Sequence, residues 1–198
     1  MGLFYISGGE GATSNESASW SDCDIVRYAD AGYLSDLTNG RSQTGYCFLF
    51  NGTASSWKSS KQTTTAPSSN MAELISLYEA TRETLWLRDL RTFIHANSGL
   101  PLSNKPITIY EDNAAVIHQI EAGYLPNDRT KHIDAKFFFA SEHNGTSLLL
   151  RQTPSSENFA DIFTKTLGAT AHWKGVRQLG LRRKSSLQGE TCQGRQHI

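Results

Sequence analysis

The chain has 198 residues, 38% of them hydrophobic, and its 19 basic and 19 acidic residues give a net charge of zero. This length is typical of one domain, and the balanced charge lacks the basic excess of a stand-alone nucleic-acid-binding protein. The three cysteines include no C-x-x-C pair and the six histidines no H-x-x-x-H pair, which argues against a disulfide framework, a structural zinc site and a zinc protease.

No apolar stretch of the sequence approaches membrane-spanning length. The opening residues 1–6 lack the basic region of a signal peptide, and their apolar run is short. The sparse, unpaired cysteines suit a reducing compartment. We therefore expect an intracellular, cytoplasmic protein that is not secreted and has no membrane partner.

Four segments in the first third of the chain, 3–6, 24–30, 44–50 and 53–59, have the composition of strands. Residues 8–21 are polar and predict a loop. Asn51 and Gly52 form a typical two-residue hairpin turn. We expect three antiparallel strands after the loop, with Asp30 at the end of the first.

The hydrophobic pattern then changes to steps of three and four residues, which predicts an amphipathic helix of roughly seven turns. The apolar positions are Met71, Leu74, Ile75, Tyr78, Leu85, Trp86, Leu90, Phe93 and Ile94. We expect Trp86, and Trp57 before it, to pack in the core rather than to stack on bases.

Shorter elements follow: a strand at 107–110, helices at 113–121 and 131–143, a strand at 146–152 and a helix opened by Thr153 and Pro154. This order predicts an α/β domain with a five-stranded mixed sheet, three antiparallel strands followed by parallel ones, and helices on both faces. We expect a connector at 1–22, the domain at 23–166, and an extension at 167–198 that is disordered from about residue 182.

Four carboxylates stand in separate local contexts: Asp30 and Asp112 after predicted strands, and Glu73 and Asp161 in predicted helices. Together they would repel one another, and they would remain ionised only around a cation. Two divalent ions held by carboxylates are a common apparatus for phosphodiester hydrolysis. The sequence therefore favours a metal-dependent nuclease, provided that the fold brings these side chains together.

Five motifs occur in one order along the chain. They are Tyr28-Ala29-Asp30-Ala31, Gly40-Arg41-Ser42-Gln43-Thr44-Gly45-Tyr46, Ser56-Trp57-Lys58-Ser59-Ser60-Lys61-Gln62, Arg129-Thr130-Lys131-His132-Ile133-Asp134 and Ala160-Asp161-Ile162-Phe163-Thr164-Lys165. From about Gly2 to Leu181 the chain resembles the ribonuclease H domain of copia-type LTR retrotransposon polyproteins. The resemblance implies a ribonuclease H-like fold, and a position C-terminal to the reverse transcriptase module of a longer polyprotein.

The same resemblance implies a catalytic, metal-binding role for Asp30, Glu73, Asp112 and Asp161. Asp30 would bridge two Mg²⁺ ions, with Mn²⁺ as a substitute; Glu73 and Asp112 would complete one site and Asp161 the other. The implied substrate is the RNA strand of an RNA–DNA hybrid. In an active element, the implied location is a cytoplasmic virus-like particle.

Basic and amide side chains near these motifs are candidates for contacts with the nucleic acid, chiefly its phosphates. They are Lys58, Lys61, Asn113, Arg129 and Lys131. For Lys58 and Lys61 a second interpretation stays open, because charges that flank an edge strand also prevent aggregation. His132 is expected to have a structural role rather than to act as a general base.

The chain departs from the family pattern at several positions. Gly32 and Tyr33 stand where the pattern has Asp and Trp, and Glu111 replaces a Cys beside Asp112. An alternative function is therefore a catalytically decayed or co-opted module that keeps the fold for a structural or nucleic-acid-binding role. An integrase or transposase core shares this fold, but the motifs do not resemble one.

Overall fold

The structure, a computed structural model, describes residues 2–3, 25–50, 52–99, 105–123 and 131–182, with the backbone alone at 2–3, 131–134 and 137. Arg129, most of the expected connector, and the tail that we expect to be disordered lie outside these residues. The side chains of Lys131 and His132 are likewise outside the description.

The described residues form seven strands: β1 (Gly2–Leu3), β2 (Ile25–Asp36), β3 (Arg41–Phe50), β4 (Thr53–Lys61), β5 (Ile107–Glu111), β6 (Leu148–Gln152) and β7 (Leu181–Arg182). They also form four α-helices: α1 (Ser69–Ser98), α2 (Ala114–Ala122), α3 (Lys131–His143) and α4 (Ala169–Gln178). Two 3₁₀ helices, Ser155–Glu157 and Phe159–Phe163, lie between β6 and α4. Among the helices of these ranges, none is both long and apolar enough to cross a bilayer.

The main sheet has the strand order β4-β3-β2-β5-β6. β2, β3 and β4 pair antiparallel, whereas β5 runs parallel to both β2 and β6. A separate pair joins β1 to β7. The predicted five-stranded mixed sheet is therefore confirmed, with its antiparallel strands first and its parallel strands last.

The sheet is covered on both faces, because alternate residues of each strand point to opposite sides. One face packs against α1, α2 and α3 through a large cluster that includes Ala29, Phe48, Leu74, Leu77 and Ile109. The other face carries a smaller cluster around Cys47 and Leu49, against which the 3₁₀ helix Phe159–Phe163 packs.

The sequence predicts that the first strand of the sheet ends at Asp30, and this prediction is wrong. β2 continues to Asp36, because β3 keeps pairing with it through an irregularity between Gly32 and Asp36. Leu34, within that irregularity, has a positive φ of 50° and donates its backbone N–H to Ser42 Oγ. Asp30 is therefore a mid-strand residue against β3.

The long helix α1 begins after Ser68, whose side chain accepts a hydrogen bond from the Met71 N–H, and it ends at Gly99 in the left-handed conformation. Its buried residues lie between Met71 and Thr84. The expectation that Trp86 packs in the core is wrong: its exposed fraction is 58%, and no residue of α1 beyond Thr84 is buried.

Trp57 is also exposed, by 52%, so the core expectation is wrong for this side chain too. It lies on β4, the edge strand of the sheet, at a position where the strand alternation turns it away from α1. Two partly exposed tryptophans thus lie on different elements of the domain.

The region after β6 differs most from the sequence prediction. Instead of one helix there are two short 3₁₀ helices, because the Asn158 side chain donates to the Ala29 carbonyl and accepts from the Ala160 N–H, which fastens the chain to β2 between them. The sequence did not predict α4 at all. This helix buries only Gly175 and Val176, so its apolar residues are too few to produce a recognisable period.

Candidate metal centre

Strand register brings two of the predicted site residues, Asp30 and Asp112, close together. Tyr28 of β2 lies opposite Tyr110 of β5 in a parallel pair, and their rings stack with centroids 5.3 Å apart. Asp30 comes two residues after Tyr28 within β2, and Asp112 comes two residues after Tyr110, directly after the end of β5. Their carboxylates therefore lie side by side at the carboxyl end of the parallel pair, the edge where α/β sheets commonly bind ligands.

Helix α1 supplies the third carboxylate. Ser76 fixes this helix to the sheet, because its hydroxyl lies 2.5 Å from the Asp30 carbonyl oxygen and 3.2 Å from that of Gly45. Glu73 precedes Ser76 by three residues and so faces the same side of the helix. A hydrogen bond from the Ala31 backbone also reaches the Glu73 carboxylate.

Asp30, Glu73 and Asp112 each offer an oxygen atom within 4.8 Å of the other two. Asp30 is fully buried and Glu73 is 8% exposed. Glu73 Oε2 is buried without a hydrogen-bond partner in the structure. Three converging carboxylates with an unpaired buried oxygen fit a hard divalent cation, which prefers oxygen ligands. The predicted residues Asp30, Glu73 and Asp112 are thus brought to one place.

Burial and mutual repulsion disfavour the charged forms of these acids in the metal-free protein. Burial, followed by the charges of Asp30 and Asp112, raises the pKa of Glu73 to about 9. Burial also raises the pKa of Asp30, although hydrogen bonding by Thr164 and the charge of Lys165 oppose that rise. A bound cation would reverse this preference by favouring the carboxylate forms.

Glu111 is a fourth acid at this centre, and it was not among the site residues predicted from the sequence. It is fully buried, and its Oε1 accepts a hydrogen bond of 3.1 Å from the Asn113 N–H. Burial and the charge of Glu73 raise the pKa of Glu111 well above its usual value. The sequence signal that could have identified Glu111 is its place at the end of an apolar strand, next to the candidate ligand Asp112.

Asp161 does not join this group of three. It lies in the 3₁₀ helix Phe159–Phe163, and its Oδ1 is 2.6 Å from the Nζ atom of Lys165. The same ammonium group is 3.1 Å from Asp30 Oδ1, and the Thr164 hydroxyl donates to Asp30 Oδ2. Thr164 and Lys165 therefore belong to the site, although neither was predicted from the sequence to have a role there.

Two glycines of the sheet allow this segment to approach Asp30. A Cβ atom on Gly32 would clash with the carbonyl oxygen of Thr164, and one on Gly45 would clash with the Thr164 side chain. Gly45 is the β3 partner of Asp30. The absence of side chains at both positions thus leaves the room that Thr164 occupies beside Asp30.

Solved structures of similar fold come from ribonucleases H. LC11-RNase H1, isolated from compost by a metagenomic approach, superposes with a TM-score of 0.54 at 18% identity, over 77% of this chain and 98% of that chain. The same enzyme in complex with an RNA/DNA hybrid gives a TM-score of 0.50 at 19% identity, over 71% and 94%. At these identities the likeness establishes the ribonuclease H fold alone. No protein-family model matches the chain.

The sequence is 34% identical, over 148 residues, to the retrovirus-related Pol polyprotein from transposon TNT 1-94 of Nicotiana tabacum. The chain is a ribonuclease H-like domain related to retrotransposon Pol polyproteins. The match covers 74% of the chain but 11% of the polyprotein. The chain, called the Pol-related domain below, thus corresponds to a small part of that relative. The match therefore does not assign the activities of the whole polyprotein to it.

Two of the candidate nucleic-acid contacts in the Pol-related domain are paired with acids. Lys58 Nζ lies 3.1 Å from Glu79 Oε2, and Lys61 Nζ lies 2.8 Å from Asp36 Oδ2. Three residues apart on β4, the two lysines point to opposite faces of the strand. Because their side chains remain 39% and 61% exposed, each could still reach a phosphate, and this role stays a prediction.

Asn113 caps helix α2 of the Pol-related domain, its Oδ1 accepting from the N–H groups of Ala115 and Val116. Only its amide nitrogen is therefore suited to a hydrogen bond with nucleic acid. Lys131 is the first residue of α3, whereas Arg129 lies outside the described residues. The structure thus places Asn113 next to the acids, and the binding roles of all three remain predictions.

We expect the stability of the metal-free Pol-related domain to fall between about pH 5 and pH 9. Glu73, with a pKa raised to about 9, and Glu111 keep protons in the folded state that the unfolded chain has released. Stability therefore decreases as pH rises, by about 1.4 kcal/mol per pH unit for each such group. Urea unfolding in EDTA across this range measures the effect.

The control for this pH dependence is Glu111→Gln, which removes one buried acid while preserving its shape. We expect a smaller decline with pH and higher stability at pH 8 than in the unaltered domain. Adding Mg²⁺ at pH 8 should stabilise the unaltered domain, because a ligand that binds only the folded state shifts the equilibrium toward it. Stability that is flat or rises across the range would contradict the expectation.

Proposed function

We propose that the Pol-related domain is a metal-dependent endonuclease that hydrolyses the RNA strand of RNA–DNA hybrids during retrotransposon reverse transcription. The observation that carries the proposal is the convergence of Asp30, Glu73 and Asp112 within 4.8 Å. Asp30 and Glu73 are at most 8% exposed, so little water is available to stabilise their charges. A ribonuclease H1 with the same fold has been solved in complex with an RNA/DNA hybrid, which supports this choice of substrate.

The donor atoms favour magnesium, with manganese as a substitute, because the three converging ligands are all carboxylate oxygens. In the proposal Asp30, Glu73 and Asp112 hold one ion, and Asp30 together with Asp161 holds the second. When bound, such ions make a water molecule more nucleophilic and stabilise the charge on the leaving oxygen. No catalytic histidine or cysteine is needed for this chemistry.

The protein's own contribution is to fix the orientation of Asp30, the residue common to both proposed ion positions. The Ser76 hydroxyl donates to the Asp30 carbonyl oxygen, which ties the strand to α1. The Thr164 hydroxyl donates to Oδ2 and the Lys165 ammonium group to Oδ1. Glu111 fixes the turn that carries Asp112 by accepting from the Asn113 N–H. These contacts hold the carboxylates near one another before any substrate arrives.

Substrate contacts in the proposal come from Lys58, Lys61, Arg129 and Lys131 to phosphates, and from Asn113 near the scissile strand. Such contacts position the duplex without reading its sequence. Discrimination of a hybrid from DNA would rest on the 2′-hydroxyl groups of the RNA strand, which line the shallow groove.

The proposed biological context is a polyprotein in which this domain acts beside a reverse transcriptase module, in the cytoplasm or a virus-like particle. The sequence match to a Pol polyprotein supports the partner. The thiol of Cys47 is buried and not part of a disulfide, which suits a reducing compartment.

The proposal is tested with purified domain and a labelled RNA–DNA hybrid in Mg²⁺, with double-stranded DNA and double-stranded RNA as comparison substrates. We expect cleavage of the RNA strand of the hybrid alone, and none by Asp112→Asn or after EDTA treatment. Asn has the shape of Asp but lacks the charge that a cation requires, so the loss is expected without unfolding.

A second candidate is a decayed or co-opted domain that binds nucleic acid without cleaving it. The observation that favours it is Lys165, because an internal ammonium group already compensates the charges of Asp30 and Asp161. In that case neither the unaltered domain nor Asp112→Asn cleaves the hybrid, although both are folded and bind it with equal affinity.

A further inference from the structure

The residues that directly follow the 3₁₀ helix Phe159–Phe163 place a cation between two acids. The Lys165 N–H donates to the Asp161 carbonyl oxygen at 3.0 Å, so the two side chains lie on the same side of the segment. The Lys165 ammonium group is 2.6 Å from Asp161 Oδ1 and 3.1 Å from Asp30 Oδ1. One nitrogen atom thus bridges carboxylates that come from two separate elements.

This bridging position is the one that the proposed function assigns to the second divalent ion, between Asp30 and Asp161. A divalent ion held there would need the same carboxylate oxygens, and it would be strongly repelled by an ammonium group at that distance. Among the described residues, the group that could hold an ion comprises Asp30, Glu73 and Asp112 and does not include Asp161.

The lysine is well suited to remain charged in this place. Burial alone would lower the pKa of Lys165, but hydrogen bonds and charge from Asp161 and Asp30 outweigh that effect and raise it. Its side chain is 40% exposed, so the ammonium group has a path to solvent. Thr164, the residue before Lys165, packs closely against Gly32 and Gly45, where a Cβ atom would clash with it.

We infer that Lys165 is a built-in cation that occupies the second ion position, so that the free domain binds one divalent ion, at Asp30, Glu73 and Asp112. A second ion enters only when the Lys165 side chain swings out toward solvent. This inference rests on the proposed function for the identity of the two ion positions. Lys165 is a positioning residue here, because it acts through Asp30 and Asp161.

The test is the stoichiometry of Mn²⁺ binding to the whole chain, measured by calorimetry and by electron paramagnetic resonance. We expect one Mn²⁺ per unaltered molecule, with the spectrum of an isolated ion. We expect two per molecule in Lys165→Met, with magnetic coupling between neighbouring ions. Lys165→Arg keeps the positive charge and should bind one ion, like the unaltered chain.

Lys174→Met is the matched control, because this lysine lies on the exposed surface of α4 and its removal changes the net charge equally. It should bind one ion. Circular dichroism verifies that each variant is folded. If Lys165→Met does not fold, Lys165→Gln is measured instead; it also removes the positive charge, and in the folded state it should bind two ions.

Two coupled ions in the unaltered chain, or one ion in folded Lys165→Met, would overturn the inference. Failure of the proposed function looks different: no Mn²⁺ bound by the unaltered chain, or one bound ion without any cleavage of the hybrid. A chain that binds one ion, gains a second in Lys165→Met and cleaves hybrids supports both.

Discussion

Asp30→Asn is expected to abolish cleavage of an RNA–DNA hybrid while leaving the domain folded. Asp30 is fully buried and is the residue common to both proposed ion positions, so its charge has no substitute. Loss of the several kcal/mol of charge stabilisation that bound metal supplies corresponds to a decrease in kcat of roughly 1,000-fold or more. Single-turnover cleavage in Mg²⁺ measures the effect.

The metal-free Asp30→Asn variant is expected to unfold at a temperature equal to or above that of the unaltered domain. Burial raises the pKa of Asp30, so its ionised form is unfavourable in the folded state at neutral pH, and asparagine removes that unfavourable charge. Asp89→Asn is the control, because Asp89 is exposed on α1 and lies outside the candidate site. Equal cleavage by Asp30→Asn and Asp89→Asn would refute the assignment of Asp30.

Gly32→Ala is expected to impair both stability and cleavage. The new methyl group would clash with the backbone carbonyl of Thr164, which cannot rotate away as a side chain could. Overpacking of this kind destabilises a protein by about 1–3 kcal/mol. The displaced segment carries Thr164 and Lys165, the two residues that contact the Asp30 carboxylate. Displacement of a positioning group by about 1 Å can reduce kcat by roughly 100-fold.

The control for Gly32→Ala is Gly168→Ala, since a Cβ atom at Gly168 meets no neighbour and the residue has a negative φ of −61°. We expect this variant to change stability by less than about 1 kcal/mol and to cleave normally. Thermal unfolding and hybrid cleavage are measured for both variants. Normal stability and activity in Gly32→Ala would mean that the position of Thr164 is not important for the site.

Both effects arise because one site combines residues from distant parts of the chain. The Ser76 hydroxyl of α1 donates to the Asp30 carbonyl oxygen. The hydroxyl of Thr164, which is 134 residues away along the chain, donates to the Asp30 carboxylate. Changes at the glycines of β2 and β3 should therefore act on the metal centre, although neither glycine carries a functional group.

Sequence pattern predicted the elements whose periodicity is strong. The strand-like composition of β2 to β4 and the three- and four-residue steps in α1 predicted the three antiparallel strands and the main helix. The same reasoning failed for Trp57 and Trp86, because periodicity shows which residues share a face but not whether another element covers that face. It also missed α4, where a glycine packs against Ile162 in place of a large apolar residue.

Some residues of the candidate site were identified from the sequence, and others only from the tertiary structure. The sequence by itself identified the acids Asp30, Glu73, Asp112 and Asp161 as candidates, because their residue type and local context do not depend on the rest of the fold. Only the tertiary structure decided that Asp161 pairs with Lys165 and that Glu111 lies buried beside the three acids. The physical reason is that charge compensation and burial depend on distances across the fold, which strand register and helix packing set and local sequence does not encode.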